Sequence, residues 1–215
     1  SLQSMNESKP LLTDSGAQGP QALEVSLFTP QGTNLLTPLN FKTKLGERIL
    51  VTAPSGKGKT TLVRALNGLW PYSQGTLSAP SGKKTLVLSQ KPYLPLGPLK
   101  DILTYPESSQ AYARADLVAA LELTQLAHLN DFLDDDEQWS TILSSGEQQR
   151  ICFARIFLLK PEILFLDEAS SAIEKTLEQV LYRQVIALLP DVTLLTFSHD
   201  PEALTEFHHR HVVLT

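Results

Sequence analysis

The stretch Arg48–Leu69, RILVTAPSGKGKTTLVRALNGL, constrains the fold more than any other part of this chain. Arg48–Thr52 is a short apolar run of the kind that forms a buried strand. It passes without a spacer into a loop of Gly, Lys and Ser, and the loop opens a helix expected to continue through Leu69. A buried strand feeding a helix directly requires a sheet with helices packed on it, the α/β arrangement. Ile163–Leu166 is a second continuous apolar run, the pattern of a parallel strand covered on both faces, and Asp167 and Glu168 end it. Strand–helix alternation around these two places predicts a mainly parallel central sheet.

The flanking segments add detail. Ala22–Phe28 and Leu35–Lys44 read as strands joined by the turn Pro30-Gln31-Gly32-Thr33, an antiparallel β edge in which Leu39, Phe41, Thr43 and Leu45 alternate. Thr85–Ser89 is a further strand, and the Pro-rich Gln90–Pro98 cannot be a helix interior. Pro98–Leu103, Tyr112–Leu126 and Ala127–Phe132 read as helices, with Leu117, Leu121 and Leu126 on one face, so a helical insert is expected at about 98–145. Asp134–Glu137 reads as a solvated acidic turn. Beyond it come a helix to Leu159, a helix Glu174–Leu189, a strand Thr193–Phe197, a short helix Pro201–Phe207 and a last strand His211–Leu214. Residues 1–20 have no apolar period and include the single methionine, Met5; they read as a disordered tag or linker ahead of one domain, 21–215.

Composition narrows the function classes. Of 215 residues, 42% are hydrophobic and 19% charged, values of a globular chain. A net charge of −5 argues against a nucleic-acid surface. The lone Cys152 excludes an intrachain disulfide and is expected in the core, while Trp70 and Trp139 are expected to pack between the core and the insert. No apolar stretch approaches the ~18 residues that cross a bilayer. His208, His209 and His211 read as solvated side chains rather than metal ligands.

Ala53–Thr61 has the make-up of a phosphate-binding loop. Glycines let successive N–H groups turn toward phosphate oxygens, and the helix start adds the positive end of its dipole. The candidate nucleotide-binding residues are Ser55, Gly56, Lys57, Gly58, Lys59, Thr60 and Thr61. Lys59 is expected to reach the β- and γ-phosphates and the Thr60 hydroxyl to ligate Mg²⁺. Asp167, at the carboxyl end of a central strand, is the expected carboxylate partner of Mg²⁺. Glu168 is the natural general base for an attacking water.

Leu143–Arg150, LSSGEQQR, is a Ser/Gly/Glu turn opening a helix that bears Gln and Arg. With this segment added, residues 22–215 resemble the nucleotide-binding domain of ATP-binding cassette (ABC) transporters, a P-loop NTPase fold. The resemblance implies ATP and Mg²⁺ as cofactors and a second copy of the domain as partner. That copy supplies Ser144, Ser145, Gly146 and Glu147 to the nucleotide. Gln90 stands where the family has its Q-loop, which senses the γ-phosphate and Mg²⁺ and meets a transmembrane domain. His199 matches the switch histidine, which contacts the γ-phosphate. Ser171-Ala172-Ile173-Glu174 matches the D-loop, with Glu174 in place of the usual Asp.

Gly68-Leu69-Trp70-Pro71-Tyr72 and Gln90–Gly97, QKPYLPLG, are similar to subfamily D, which contains peroxisomal fatty-acyl transporters and bacterial fused relatives. That likeness implies a membrane portion N-terminal on the same full-length chain, and a soluble ATPase part at the cytoplasmic face of a membrane such as the bacterial inner membrane. The chain departs from the family pattern at Ala53 (usually Gly), at Ser145 and Glu147 in the signature, and at Thr29, where an adenine-stacking aromatic is expected and Phe28 lies one place early. Soluble mechanical ATPases of DNA or ribosomes share the nucleotide motifs, but they carry long coiled coils or two cassettes, and this chain has neither. A nucleotide-binding module without hydrolysis is the other alternative. Ala53, Thr29 and Glu174 favour it, and Lys59, Asp167, Glu168 and His199 oppose it.

Overall fold

In the computed structural model, strand β3 (Arg48–Thr52) runs through the middle of a parallel sheet with Ile49, Leu50 and Val51 fully buried. The structure describes residues 18–53 and 58–214. The chain divides into two compact units, the first holding residues up to Thr85 with Glu162–Asp167 and the segment from Asp191 on, the second Leu86–Pro161 with Glu168–Pro190.

In the first unit, β6 (Ile163–Asp167), β7 (Thr193–Phe197), β3 and β8 (Arg210–Val213) lie side by side in that order, all parallel. Every residue of β6 and β7 is buried, which explains their unbroken apolar runs. The ladders are in step: Val51 faces Phe197, and Phe197 faces Asp167. A separate antiparallel sheet has the order β2 (Asn34–Lys44), β1 (Gln18–Phe28), β4 (Ser73–Ser78). Strand β1 starts at Gln18, ahead of the expected Ala22, and the expected linker residues 1–17 lie outside the described part. Strand β4, SQGTLS, has no apolar alternation and leaves no signal in the sequence. Gly75 in it lies at φ +101°, and a Cβ there would meet the Glu24 carbonyl oxygen at 2.4 Å, so only glycine lets the two strands approach.

Helix α1 (Lys59–Leu66) joins the two sheets. Its Leu62, Val63, Ala65 and Leu66 pack among Val25, Phe41 and Leu77 of the antiparallel sheet and Ile49, Val51, Phe165, Leu195 and Phe197 of the parallel one. It ends before the expected Leu69 because Gly68 turns left-handed at φ 73°. The Leu69 N–H then reaches the Arg64 carbonyl at 2.7 Å and the Gly68 N–H the Ala65 carbonyl at 3.0 Å, a paired closure of the last turn. Trp70 packs on this core and donates its indole N–H to the Phe28 carbonyl at 3.0 Å.

Strand β5 (Thr85–Ser89) leads into the second, helical unit. Helix α5 (Ser145–Leu159) is its centre and packs on α2 (Leu99–Thr104), α3 (Arg114–Leu123) and α6 (Lys175–Leu188). Ile151 to Leu159 are all buried, so this helix is covered on every side, as its weakly amphipathic sequence requires. Cys152 is among them. Helix α3 is shorter than expected, Gln125 taking φ 56° just past its end, and Ala127–Phe132 is 3₁₀ rather than α. One further turn, α4 (Trp139–Ile142), was not foreseen. Trp139 is buried there and bonds the Asp135 carbonyl at 3.1 Å. The acidic turn is exposed but anchored: Asp134 accepts from Lys100 at 2.8 Å and from Arg114 at 2.9 Å. Among the described residues no helix is long and apolar enough to cross a membrane.

Candidate functional site

The in-step ladders decide where the first unit can do chemistry. Because Val51, Phe197 and Asp167 are aligned, the segments after β3, β6 and β7 all leave the sheet at one edge. In open parallel sheets that carboxyl edge is where ligands bind. Asp167 ends β6 and is 4% exposed. His199 is exposed two residues after β7, where the Ser198 N–H bonds the Val51 carbonyl at 3.1 Å and ties the turn to β3.

The helix α1 follows β3 in the chain. Gly58 caps α1, its carbonyl accepting the Leu62 N–H at 2.9 Å. Lys59 is buried at 2% exposure, Thr61 is buried and Thr60 is exposed. Ser55, Gly56 and Lys57 lie outside the described residues. Ala53, standing where the family has glycine, lays its methyl on the hydrophobic core. Thr60 and Asp167 offer oxygen donors, the kind a hard cation takes. Among the described residues no group of three His, Cys, Asp or Glu side chains gathers as a metal site. A hydroxyl and a carboxylate are donor types that fit Mg²⁺.

At the end of β1, Thr29 does structural work. Its hydroxyl accepts the Thr33 N–H at 3.0 Å, and its own N–H bonds the Thr33 carbonyl at 2.8 Å. Phe28 is half-buried, with its N–H on the Tyr72 carbonyl at 2.9 Å. Tyr72 is 38% exposed and meets Trp70 edge to face at 5.7 Å. Of the three histidines expected to be solvated, each has a partner. His209 Nδ1 accepts the Arg48 N–H at 3.0 Å, and His211 Nε2 pairs with the Thr52 hydroxyl at 2.8 Å. His208 is half-buried between the Leu204 carbonyl and the Thr196 hydroxyl, each at 2.7 Å. Burial pushes its pKa down to about 4.

In the second unit Glu168, directly after Asp167, adopts φ 53°. A left-handed conformation is unfavourable for a residue with a long side chain, and such strain clusters at functional positions. It takes the chain out of the strand direction and into the turn Ala169–Ile173, where the Ser171 N–H bonds the Glu168 carbonyl at 3.3 Å. Glu174 then caps α6, its carboxylate accepting the Leu177 N–H at 3.1 Å. Backbone N–H groups of Thr176 and Leu177 hold that carboxyl below its ordinary range. The acidic side chain at the D-loop position is thus a helix cap, and Glu reaches this position as Asp would.

The LSSGEQQR segment is built around the N-terminus of α5. Ser144 is its N-cap and forms a capping box with Glu147: the Ser144 hydroxyl accepts the Glu147 N–H at 3.2 Å, and Glu147 Oε1 accepts the Ser144 N–H at 3.0 Å. The Glu147 carboxylate also pairs with His128 at 3.2 Å. The Ser144 N–H chiefly, with His128 beside it, holds the Glu147 carboxyl below its ordinary range against the opposing pull of partial burial. Ser144 and Ser145 remain exposed and Gly146 half-buried, so the first turn presents small residues to its surroundings.

The polar residues that follow each satisfy backbone carbonyls, a role the sequence reading did not assign. Gln148 donates to Ser140 at 2.9 Å and Leu143 at 3.0 Å. Arg150 donates to Thr124 at 3.2 Å and Gln125 at 2.9 Å, closing the end of α3. Gln149, 2% exposed, bonds the Gln90 carbonyl at 3.0 Å while the Gln90 side chain stays exposed. Arg155, 4% exposed, donates to Ile102 at 2.9 Å and Tyr93 at 2.8 Å, with its guanidinium 5.3 Å from the Tyr105 ring centre. The signal for these residues is a run of long polar side chains inside a helix that is otherwise apolar.

The family described as ABC transporter matches residues 36–171. An uncharacterized ABC transporter ATP-binding protein of Haemophilus influenzae is 38% identical over 190 residues, which is 88% of this chain and 32% of that protein. One from Synechocystis is 39% identical over 193 residues, 87% of this chain and 29% of the relative. Human ATP-binding cassette sub-family D member 3 is 37% identical over 183 residues, 81% of this chain and 28% of its own length. The chain thus spans no more than 32% of these relatives. Among solved structures, a bacterial Atm1-family ABC exporter with ATP bound superposes with a TM-score of 0.80 over 97% of this chain and 39% of the other, at 23% identity, a likeness of fold.

Proposed function

With residues 36–171 matching it, the chain belongs to the ABC transporter ATP-binding family, and from that premise we propose that it is a motor domain that pairs head-to-tail with a second copy around ATP. Membership implies ATP and Mg²⁺ binding and ATP hydrolysis in general terms. The observation that supports the finer reading is the common edge at which β3, β6 and β7 end, with Asp167 on it and His199 two residues beyond it, set by the Val51–Phe197–Asp167 register.

In this reading the backbone of Ser55–Gly58 and the start of α1 cradle the phosphates, with Thr61 on the same turn. Lys59 neutralises charge on the β- and γ-phosphates. Mg²⁺, held by Thr60 and Asp167 with Gln90 as a further contact, would screen the same oxygens. Glu168 accepts the proton of a water whose oxygen attacks the γ-phosphorus as the bond to the ADP oxygen breaks. His199 contacts the γ-phosphate. Ser144, Ser145, Gly146 and Glu147 serve the nucleotide of the partner copy, the small exposed residues at the start of α5 letting the phosphate approach.

The names of the human and other relatives support a place in subfamily D, as do the Gly68–Tyr72 and Gln90–Gly97 segments. The wider proposal follows from the share of those relatives that the chain spans. It includes a membrane domain on the same full-length protein, this ATPase at the cytoplasmic face, and substrate movement driven by closing and reopening of the pair.

The test is Glu168→Gln assayed with Mg²⁺ and ATP. Hydrolysis should fall by about 100-fold or more, ATP binding should persist, and the protein should elute as a dimer with ATP. Parent activity per molecule should climb with protein concentration. A rate near zero at every concentration in the parent would instead support the passive nucleotide-binding module, and undiminished hydrolysis in Glu168→Gln would remove the base from Glu168.

A further inference from the structure

Gln149 is a buried side-chain amide with every polar atom engaged. Its Nε2 donates to the Gln90 carbonyl at 3.0 Å and to the Ser171 hydroxyl at 3.1 Å, and its Oε1 accepts the Ala172 N–H at 2.8 Å. The orientation of the amide is dictated by chemistry: the Gln90 carbonyl can only accept and the Ala172 N–H can only donate, so a flipped amide would lose both bonds. One side chain from the first turns of α5 therefore holds two loops that lie far from it in sequence. A second contact ties the same helix start to the same turn. A Cβ at Gly146 would stand 2.8 Å from the Ala172 carbonyl oxygen, so the helix backbone already rests on that residue.

We propose that Gln149 is a positioning residue: it pins the Gln90 turn and the Ser171–Ala172 turn to the start of the signature helix, so that the three shift as one body within the second unit. Gln149 touches no nucleotide atom in this scheme. It acts through Gln90, which the proposed function sets beside Mg²⁺, and through the turn that follows Glu168. The consequence for catalysis rests on that proposed function, whereas the pin itself does not. Two donor hydrogens, one facing a carbonyl and one a hydroxyl, and one acceptor oxygen define what a replacement must supply. Gln149→Glu keeps the acceptor for Ala172 and loses the donor for Gln90, placing an anion against a carbonyl oxygen. Gln149→Met keeps the packing and loses both.

Amide hydrogen exchange on the ATP-free chain tests the pin directly. Gln149→Met should speed exchange at least tenfold in both 90–97 and 169–174, and Gln149→Glu should do so mainly in 90–97. Loosening of neither segment, or of only one in Gln149→Met, overturns the pin. If Gln149→Met fails to fold, the contrast between the two segments in Gln149→Glu decides alone. Hydrolysis tests the consequence. Gln149→Glu should lose at least tenfold in kcat with KM changed less than threefold. Gln149→Met should show the same pattern. A change confined to KM, or full activity in either variant, overturns the positioning role. A parent that does not hydrolyse ATP refutes the proposed function and with it the catalytic consequence, while the exchange result still decides the pin.

Discussion

The guanidinium of Arg155 holds the backbone carbonyl of Tyr93 at 2.8 Å from inside helix α5. The same side chain binds the Ile102 carbonyl at 2.9 Å and lies under the Tyr105 ring, which is itself stacked at a tilt on Tyr93 at 5.1 Å. A buried cation is thus satisfied by two carbonyls and an aromatic face, and burial draws its pKa below the ordinary arginine value. Arg155→Ala strands both carbonyls and should destabilise the chain by about 2–5 kcal/mol, lowering the melting temperature by roughly 5–15 °C. Arg155→Lys should recover less than half of this, because an ammonium lacks the planar fork that spans both acceptors. Thermal unfolding of the two variants beside the parent checks it, and equal stability of parent and Arg155→Ala would remove the arginine from this role.

Removing the Ser144 cap should cost about 1 kcal/mol in Ser144→Ala. The Glu147 half of the box adds a pH dependence. Its folded pKa is depressed, so its contribution is complete above the unfolded value near 4.5 and is lost as pH falls through the lower folded value. The stability gap between parent and Glu147→Gln should shrink as pH falls below 4.5. Denaturant titrations at several pH values measure the gap; a gap that widens below pH 4.5 contradicts the assignment.

His208 titrates in a higher window. Its folded pKa of about 4 lies below the ordinary 6.5, so the unfolded chain binds a proton that the folded one refuses. Stability contributed by the neutral imidazole is therefore full above pH 6.5 and declines as pH falls toward 4, by about 2–3 kcal/mol in all. The Leu204 carbonyl fixes the proton on Nδ1 and leaves Nε2 to accept from Thr196. His208→Gln should be less stable than the parent at pH 7.5 and approach it by pH 4.5. Melting curves across that range decide the matter, and parallel curves would count against it.

Gly146→Ala meets the Ala172 carbonyl oxygen at 2.8 Å, and both sides of that contact are backbone, so the helix start or the turn must give way. The chain should still fold, with a melting temperature within a few degrees of the parent. ATP-dependent pairing in a Glu168→Gln background should weaken by at least tenfold. Undiminished pairing would show that the first turn of α5 tolerates displacement.

The strand at 48–52, the helix that starts at Lys59, the strand before Asp167 and the long helix after Ser144 were legible because each couples an apolar period to a neighbouring stretch of unusual composition. Strand β4 was not, since SQGTLS carries no apolar alternation and its pairing with β1 is decided by Gly75. Helix ends were misjudged where a left-handed residue such as Gly68 or Gln125 closes the turn, because only tertiary contacts decide which of several permissive residues adopts that conformation. His209 and His211 are exposed, as expected, whereas His208 read as solvated because sequence does not reveal that Leu204 and Thr196 would enclose it. In the candidate site the residues proposed to meet phosphate or metal were named from their motifs. Gln148, Gln149, Arg150 and Arg155 were not, since their targets are backbone carbonyls, which every residue carries and no motif marks.

Strands β3, β6 and β7 end in the same rank of the sheet. Inserting or deleting one residue inside any of them would retract or advance a single loop by about 3.3 Å and turn its side chains to the opposite face. The alignment of the site is therefore stored in the dry interior, in Leu50, Phe165 and Leu195, far more than in the loops that carry the chemistry. Length changes should be best tolerated in the exposed turns, and worst at buried positions that never meet a ligand.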